Sequence, residues 1–235
     1  MGASDGILKL LGGNLTVSDA VTSTRSLSLT GAGTLNLDAT GSNIGGGVTL
    51  SNGSLIVGSS SSKKNASLAA DLAVASGATL GGHGTITGTV TNAGMLAPGN
   101  SIGTLTIAGN YAGTGTLQIE VEGDQSSTAR ADKLIVNGTV DVSGTNLDLV
   151  LTPATATSWA YAPTGPFIII ENDGADAITG TFASVTDNLL FLDPSLNYAA
   201  GTGNDLALTL ERNDIDFASA ARTRNQSSTA SAIEG

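Results

Sequence analysis

Short runs of alternating apolar and polar residues fill the chain from about residue 7 to about residue 150. Ile7–Leu10, Leu27–Leu29 and Leu105–Ile107 are typical, and each run holds only about three to five residues. Alternation with a period of two places every second side chain on the same face, as in a β-strand. Glycine, asparagine and serine stand between the runs. The pattern therefore predicts many short strands joined by tight turns.

Strands of this length cannot each bury an apolar face alone. Stacked in successive turns of the chain, they share one continuous core, which is the arrangement of a solenoid. The strands start at irregular intervals, mostly about 6 to 13 residues, whereas leucine-rich and propeller repeats keep a stricter period. A parallel β-helix accepts loops of variable length, and glycine at its corners permits positive φ. We therefore expect an all-β fold, a parallel β-helix.

No aromatic residue occurs in the first 110 residues of the chain. All eight lie between Tyr111 and Phe217, whereas no charged residue lies between Asp71 and Glu120. Aromatic side chains bury the largest area per residue, so this region is the natural cap and folding nucleus of the stack. We expect Trp159, Phe167 and Phe182 to pack the cap. The full set of candidates is Trp159, Tyr161, Phe167, Phe182, Phe191 and Tyr198.

Two further strands are predicted within the aromatic region. Phe167–Ile170 is entirely apolar and follows the turn at 163–166, and Leu206–Leu210 follows the turn at 201–205. The second strand is expected to form a hairpin with a strand near 189–192. Such a hairpin would cover the last strand of the stack, whose edge groups would otherwise be unpaired.

The alternating pattern stops after Glu211. Asp214 is expected to cap a short helix over 215–224, with Arg222 and Arg224 near its C-terminus. About ten residues make a marginal helix, so the tail is expected to be helical or disordered. Three segments result: stacked coils over 1–110, the last coils and the aromatic cap over 111–212, and a linker over 213–235.

The charge balance excludes several classes of partner. The net charge is −11 and the nine basic residues are scattered, whereas nucleic acid requires clustered lysine and arginine. The chain has no cysteine, which rules out disulfides and thiolate metal sites. No apolar run approaches the length of a membrane-spanning helix, so the fragment is not expected to cross a bilayer.

Gly99–Gly103 matches the serine-hydrolase motif G-x-S-x-G. The G-x-S-x-G mechanism needs its serine on a strand-to-helix elbow, with a histidine and an acid nearby. Here Leu105–Ile107 reads as another strand, and His83 is the single histidine. We interpret Gly99–Gly103 as a corner of the stack, and His83, in a glycine-rich turn, as exposed and inert.

The remaining acidic clusters also favour a structural interpretation. Glu120 and Glu122 share one strand face, which we interpret as solvated, although paired carboxylates catalyse reactions in pectin-degrading β-helices. The segment 172–176 lacks the later glutamate of a calcium loop, and the turn at 81–84 lacks the aspartate of calcium-binding nonapeptide repeats. We therefore expect no catalytic, cofactor-binding or metal-binding residue, and no enzymatic activity.

Several segments resemble recurrent sequences of Gram-negative autotransporters, the type V secretion family. Ala97–Ile107, followed by Gly109–Tyr111, is similar to A-P-G-N-S-x-G-T-L-x-I-x-G-x-Y, and Asp132–Gly138 is similar to D-x-L-x-V-x-G. Gly180–Phe182 and Leu208–Asn213 resemble later landmarks, and Asn225-Gln226 resembles the entry to the translocator. The matching positions are Pro98, Gly99, Asn100, Ser101, Gly103, Tyr111, Asp132, Gly138 and Gly180.

The resemblance, which covers about residues 50 to 235, implies a right-handed parallel β-helix displayed at the cell surface or released outside a Gram-negative bacterium. Its C-terminal end would act as the autochaperone region, which folds first and seeds the rest. The implied partners are the upstream passenger and the protein's own translocator, a 12-stranded outer-membrane barrel absent from this fragment.

Two other functions remain open at this stage. Stacked threonine, serine and asparagine side chains could form an adhesive or self-associating surface for cell–cell or host contact. A carbohydrate-active β-helix enzyme is the third alternative, and the lack of clustered aspartate, arginine and lysine speaks against it.

Overall fold

The computed structural model describes residues 5–122, 130–151 and 164–234. Three sheets run along the stack, and successive strands up to β17 belong to the first, second and third sheet in rotation. Pairing between consecutive coils is parallel throughout this part. Short strands on three parallel sheets confirm the predicted β-rich stack and are consistent with a β-helix. The right-handed coil stays a prediction.

The first sheet holds one strand from each of seven coils. It consists of β1 (Gly6–Lys9), β4 (Leu27–Thr30), β7 (Val48–Leu50), β10 (Leu72–Val74), β13 (Val90–Asn92), β16 (Tyr111–Gly113) and β20 (Val140–Asp141).

The second sheet has eight strands in parallel order and one antiparallel addition. The parallel strands are β2 (Asn14–Val17), β5 (Thr34–Leu37), β8 (Gly53–Val57), β11 (Ala78–Gly82), β14 (Met95–Pro98), β17 (Thr116–Glu122), β21 (Asn146–Leu151) and β23 (Ser184–Asp187). The addition is β18 (Arg130–Ala131), which pairs antiparallel with β17.

The third sheet contains the end of the stack. Its strands are β3 (Thr22–Ser23), β6 (Ser42–Ile44), β9 (Ser67–Ala69), β12 (Thr85–Ile86), β15 (Thr104–Ile107), β19 (Lys133–Val136), β22 (Thr164–Asn172), β25 (Asp205–Arg212) and β24 (Leu192–Ala200), in that spatial order.

Columns of inward-facing leucines build the core. On the second sheet, residues in register on consecutive strands include Leu15, Leu35, Leu55, Leu80, Leu96, Leu117, Leu147 and Val185. Leu80, Leu96 and Leu117 are fully buried, whereas Leu15 and Val185, at the two ends, are each 40% exposed. Each inward side chain is therefore buried chiefly by the coils above and below it.

The length of a coil varies while the register is kept. On the first sheet, 18 residues separate the paired positions Leu72 and Val90, and 29 separate Tyr111 and Val140. The longer coil contains the antiparallel pair of β17 and β18, in which Glu122 pairs with Arg130. This variation is the physical source of the irregular spacing in the sequence.

The last strands of the third sheet change direction. β22 continues the stack in parallel with β19, but β25 pairs antiparallel with β22, and β24 pairs antiparallel with β25. Leu206, Leu208 and Leu210 of β25 are fully buried. The predicted strand over 167–170 and the predicted hairpin are both present, but the partner strand runs over Leu192–Ala200 rather than near 189–192.

The predicted helix over 215–224 is wrong. A 3-10 turn spans Phe217–Ala220, and the only α-helix in the described part of the chain, α1, spans Arg224–Glu234. The Gln226 N–H donates to Thr223 Oγ1, and Gln226 Oε1 accepts from the N–H groups of Thr223 and Arg222. This T-x-x-Q capping box sets the start of the helix. Across the described residues, no helix is long and apolar enough to cross a bilayer.

Leu80→Ala tests whether the stack depends on its leucine columns. Because Leu80 is fully buried, we expect the free energy of unfolding, measured by urea titration, to fall by about 2–5 kcal/mol. Thr79→Ala, at the adjacent outward position of the same strand, is the control and should cost less than about 1 kcal/mol. Equal losses in the two variants would contradict the layered core.

Candidate functional site

The segment that carries the family-like motif forms a turn between β14 and β15. Gly99 has φ +77° and Ser101 has φ +126°, a region that L-residues rarely adopt. The turn folds back on the preceding coil, because Gly99 N donates to Gly82 O (2.8 Å) and Gly82 N donates to Gly99 O (2.7 Å). Pro98, the last residue of β14, is buried. The motif is thus a corner of the stack, as predicted.

Asn100 ties this corner to earlier coils. Its Nδ2 donates to Ser59 O at 3.1 Å. Ser59 in turn donates from its N–H and its hydroxyl to the two carboxylate oxygens of Asp38, at 2.8 and 2.9 Å. A polar chain therefore links three coils along one edge of the second sheet.

Gly103 is required by the position of His83. A Cβ on Gly103 would lie 2.3 Å from His83 Cε1 and 3.0 Å from Gly99 Cα. The expectation that His83 is exposed is wrong, because its imidazole is half-buried against Gly103. Burial lowers the pKa of His83 below its ordinary value.

Asp132 is the buried charge-bearing group of this corner. Its side chain is 1% exposed. Oδ1 accepts the N–H of Gly103 at 2.8 Å, and Oδ2 accepts the N–H of Glu120 at 2.9 Å. The Asp132 N–H also donates to Glu120 O at 2.9 Å. Burial raises the pKa of Asp132 to about 7 and the charge of Glu120 adds to this rise, while the two N–H donors oppose it.

Glu120 and Glu122 have different surroundings despite sharing a strand face. Glu122 pairs with Arg130 at 2.5 Å, where both side chains are partly exposed. Glu120 Oε2 is buried and has no hydrogen-bond partner among the residues that the structure describes. The solvated interpretation therefore fails for this oxygen of Glu120.

A polar groove of about 880 Å³ follows the outer face of the second sheet. Asn, Thr, Ser and Gln side chains line most of it, the turn at 98–102 forms one wall, and Glu120, Glu122 and Asp132 lie along it. Within the described ranges, no three His, Asp or Glu side chains form a group that could hold a metal ion.

Ser101, His83 and Asp132 surround the same turn but lack the arrangement of a catalytic triad. Both Asp132 oxygens accept backbone N–H groups, and no hydrogen bond joins Ser101 to His83 in the described structure. The turn leads into strand β15 rather than into the helix that a nucleophile elbow requires. This geometry holds the backbone of the turn in place and does not activate the Ser101 hydroxyl.

The other family-like positions also lie where two coils approach closely. A Cβ on Gly138 would lie 2.4 Å from Asn110 Oδ1, and one on Gly180 would lie 2.2 Å from Ser143 Oγ. Gly180 also has φ +76°. Tyr111 is 1% exposed and fills the core beneath the first sheet. Each of these positions therefore serves the fit between consecutive coils.

The described aromatic candidates lie at the rim of the cap, which consists of β22, β25 and β24, rather than at its centre. Phe182 is 9% exposed, its N–H donates to Tyr198 Oη at 3.0 Å, and the two ring centroids are 6.1 Å apart. Phe167 is partly buried against the core, and the Arg212 guanidinium lies 5.2 Å from the centre of the Phe191 ring. Trp159 and Tyr161 lie outside the described residues. Aliphatic side chains of β22 and β25 fill the centre.

Sequence reasoning missed a set of aspartate and asparagine acceptors at the corners. Asp71 Oδ1 accepts the Thr89 N–H at 2.8 Å, and Asn110 Oδ1 accepts the Thr139 N–H at 2.9 Å. Both acceptors directly precede strands of the first sheet. An Asp or Asn beside an apolar run is the signal that could have identified them.

Comparisons with known proteins place the chain beside two much longer bacterial proteins. No family model matches it. Over 216 residues, 88% of the chain, it is 30% identical to the extracellular serine protease of Serratia marcescens. Over 131 residues, 53% of the chain, it is 40% identical to the uncharacterized protein YuaQ of Escherichia coli strain K12. The chain spans only 19% and 9% of the lengths of these proteins.

Gly103→Ala tests the contact at the motif corner. The added Cβ meets the His83 ring, so we expect a loss of about 1–3 kcal/mol in the free energy of unfolding. His83→Ala combined with Gly103→Ala should recover part of this loss, because the ring no longer occupies the space. Gly12→Ala is the matched control, since no atom lies within 4 Å of its added Cβ. A neutral Gly103→Ala variant would refute the contact.

Proposed function

We propose that this chain is a C-terminal part of an autotransporter passenger, located outside a Gram-negative cell. The observation that carries the proposal is that the family-like residues occupy, in chain order, the tight contacts between consecutive coils. Similarity over most of the chain to a protein named as extracellular supports the location. The parallel sheets support the β-helical architecture.

The cap at the C-terminal end is, in this proposal, the folding nucleus. Coils of a stack gain stability chiefly from their neighbours, so growth needs a first stable template. β22, β25 and β24 pair mainly with sequence-near strands and bury Ile169, Ile170 and the leucines of β25. Such a unit can form before the upstream coils. The free edge of β22 can then pair in parallel with β19.

The opposite end of the stack is suited to continue it. Ile7 and Leu11 are 75% and 81% exposed, and Leu15 and Val21 are also exposed. These residues belong to the first coil, whose strands pair on one side in the described structure. The exposure supports a stem role, in which upstream coils of the passenger stack on this surface.

We also propose that the segment itself catalyses no reaction. The name serine protease belongs to a relative of which the chain spans 19%, and Ser101 sits in a corner without an activating base. The helix α1 would lead toward the translocator, which in this proposal is the partner at the C-terminal side.

Refolding kinetics test the nucleation role. Leu208→Ala in the cap and Leu50→Ala in the stack each remove a side chain that is at most 1% exposed, and each should cost about 2–5 kcal/mol. If the cap forms first, Leu208→Ala slows refolding, whereas Leu50→Ala mainly accelerates unfolding. Phe167→Ala and Phe182→Ala should follow Leu208→Ala if the aromatic rim belongs to the nucleus.

The rates are measured by stopped-flow dilution from urea, with the unfolding limb recorded in parallel. Refolding rates that stay at the wild-type value in Leu208→Ala and fall in Leu50→Ala would reverse the proposed order.

A second candidate function is self-association, favoured by the outer face of the first sheet. Thr49, Ala73, Thr91 and Ala112 are exposed and stand in one row on neighbouring strands. The row is uncharged and its side chains are small, so two copies could approach closely despite the overall negative charge.

Ala73→Lys tests this surface by placing a like charge on both copies. If the row mediates association, sedimentation velocity should show oligomers of the wild-type chain that dissociate in Ala73→Lys. Thr79→Lys, on the second sheet, is the control and should leave the oligomers unchanged. A wild-type chain that stays monomeric at high concentration would exclude this function.

A further inference from the structure

A buried carboxyl group lies at the corner where the motif turn contacts β17. Asp132 is buried, and its oxygens accept the N–H groups of Gly103 and Glu120. The Glu120 side chain lies along the same groove, and among the described residues its buried Oε2 has no hydrogen-bond partner. We name the Asp132 side chain, the Gly103 N–H and the Glu120 N–H the Asp132 clasp.

The clasp joins segments that are distant in the sequence. Gly103 ends the motif turn, Glu120 lies within β17, and Asp132 directly follows β18. One side chain therefore fixes the turn of one coil to the long strand of the next. Without it, two backbone N–H groups in a buried corner would lose their acceptors.

The neighbouring cations are engaged elsewhere. Arg130 pairs with Glu122, and Lys133 Nζ pairs with Glu171 at 2.7 Å. His83 packs on the far side of Gly103, and burial disfavours its charged form. Asp148, on the adjacent strand β21, accepts from Gln118 Nε2. The turn at 98–102 carries no titratable side chain.

Asp132 is 1% exposed, and the described cations beside it pair with other carboxylates. Burial disfavours the ionised form of such a carboxyl group, and the charge of Glu120 adds to this effect. A neutral carboxyl group can still accept the two N–H groups. The buried position of Asp132 therefore suits a group that holds its proton in the folded chain.

We infer that the Asp132 clasp is a proton-controlled fastening between coils, closed when Asp132 is neutral and loosened when Asp132 loses its proton beside Glu120. Ionisation leaves a buried charge that the two N–H groups stabilise only in part, and hydration of the carboxylate requires the turn at 99–103 to separate from β17. The inference concerns this joint alone and does not depend on the proposed secretion role.

The sign of the pH dependence follows from the raised pKa of Asp132. The pKa is about 7 in the folded chain and 3.8 for the free side chain, so the folded state binds the proton more tightly than the unfolded state. The contribution to stability is fully present below about pH 4 and is lost as the pH rises through about 7. Most acidic groups held by N–H donors show the opposite trend.

The decisive experiment is a pH titration of the full chain by carboxyl ¹³C NMR, with hydrogen exchange of the Gly103 and Glu120 amides. We expect Asp132 to titrate near neutral pH. After correction for the intrinsic rate, protection of both amides should fall by up to about tenfold per pH unit between about pH 5 and about pH 7. Thermal melting should drop by several degrees over the same range.

Three variants separate the clasp from other titrating groups. Asp132→Asn should remove this pH dependence, and Glu120→Gln should move the Asp132 midpoint to lower pH because a repelling charge is gone. Glu171→Gln is the control that should keep the wild-type profile near neutral pH.

An Asp132 midpoint below about pH 5 in the wild-type chain, or an Asp132→Asn profile with the wild-type slope, overturns the inference. If Asp132→Asn does not fold, the wild-type titration and the Glu120→Gln shift still decide the question. A Glu120→Gln variant with an unchanged Asp132 midpoint would remove Glu120 from the mechanism.

Discussion

Every coil of this protein is buried by its neighbours, so the in-register approach of consecutive coils is the constraint on which the rest of the structure depends. The leucine column of the second sheet shows it: Leu80 and Leu96 are fully buried, whereas Leu15 at the first coil is 40% exposed. Coils can stack at the spacing of paired β-strands only if their corners also approach closely. Gly103, Gly138 and Gly180 meet this requirement, because a Cβ at each would collide with the adjacent coil.

The same constraint explains how much the sequence could predict. Alternating runs such as Leu105–Ile107 and glycine corners depend on local geometry, and they led correctly to short parallel strands. The sequence also contains the signal for the start of α1, because Thr223 and Gln226 form a capping box. The prediction of a helix capped by Asp214 overlooked this signal. The partner of β25 was misplaced because strand pairing depends on tertiary register, which local alternation does not specify.

The sequence predicted which residues belong to the candidate site, but it did not predict which of them contact each other. The motif residues from Pro98 to Gly103 and Asp132 stood out by resemblance, yet nothing local indicates that the Asp132 carboxylate reaches the Gly103 N–H across 29 residues. The burial of His83 was missed for the same reason, because its neighbour Gly103 comes from the next coil. Buried polar contacts between coils require the fold, whereas corner acceptors such as Asp71 leave a signal beside each strand.

The antiparallel pair of β17 and β18 has a consequence for how such a chain can change over time. The coil from Tyr111 to Val140 is longer than the preceding coil from Val90 to Tyr111, yet the strands on both sides keep their register. Insertions between Glu122 and Arg130 therefore do not shift the columns of core residues, and length is free to vary there. A peptide epitope or a small domain grafted between Glu122 and Arg130 would be attached to the stack through this antiparallel pair.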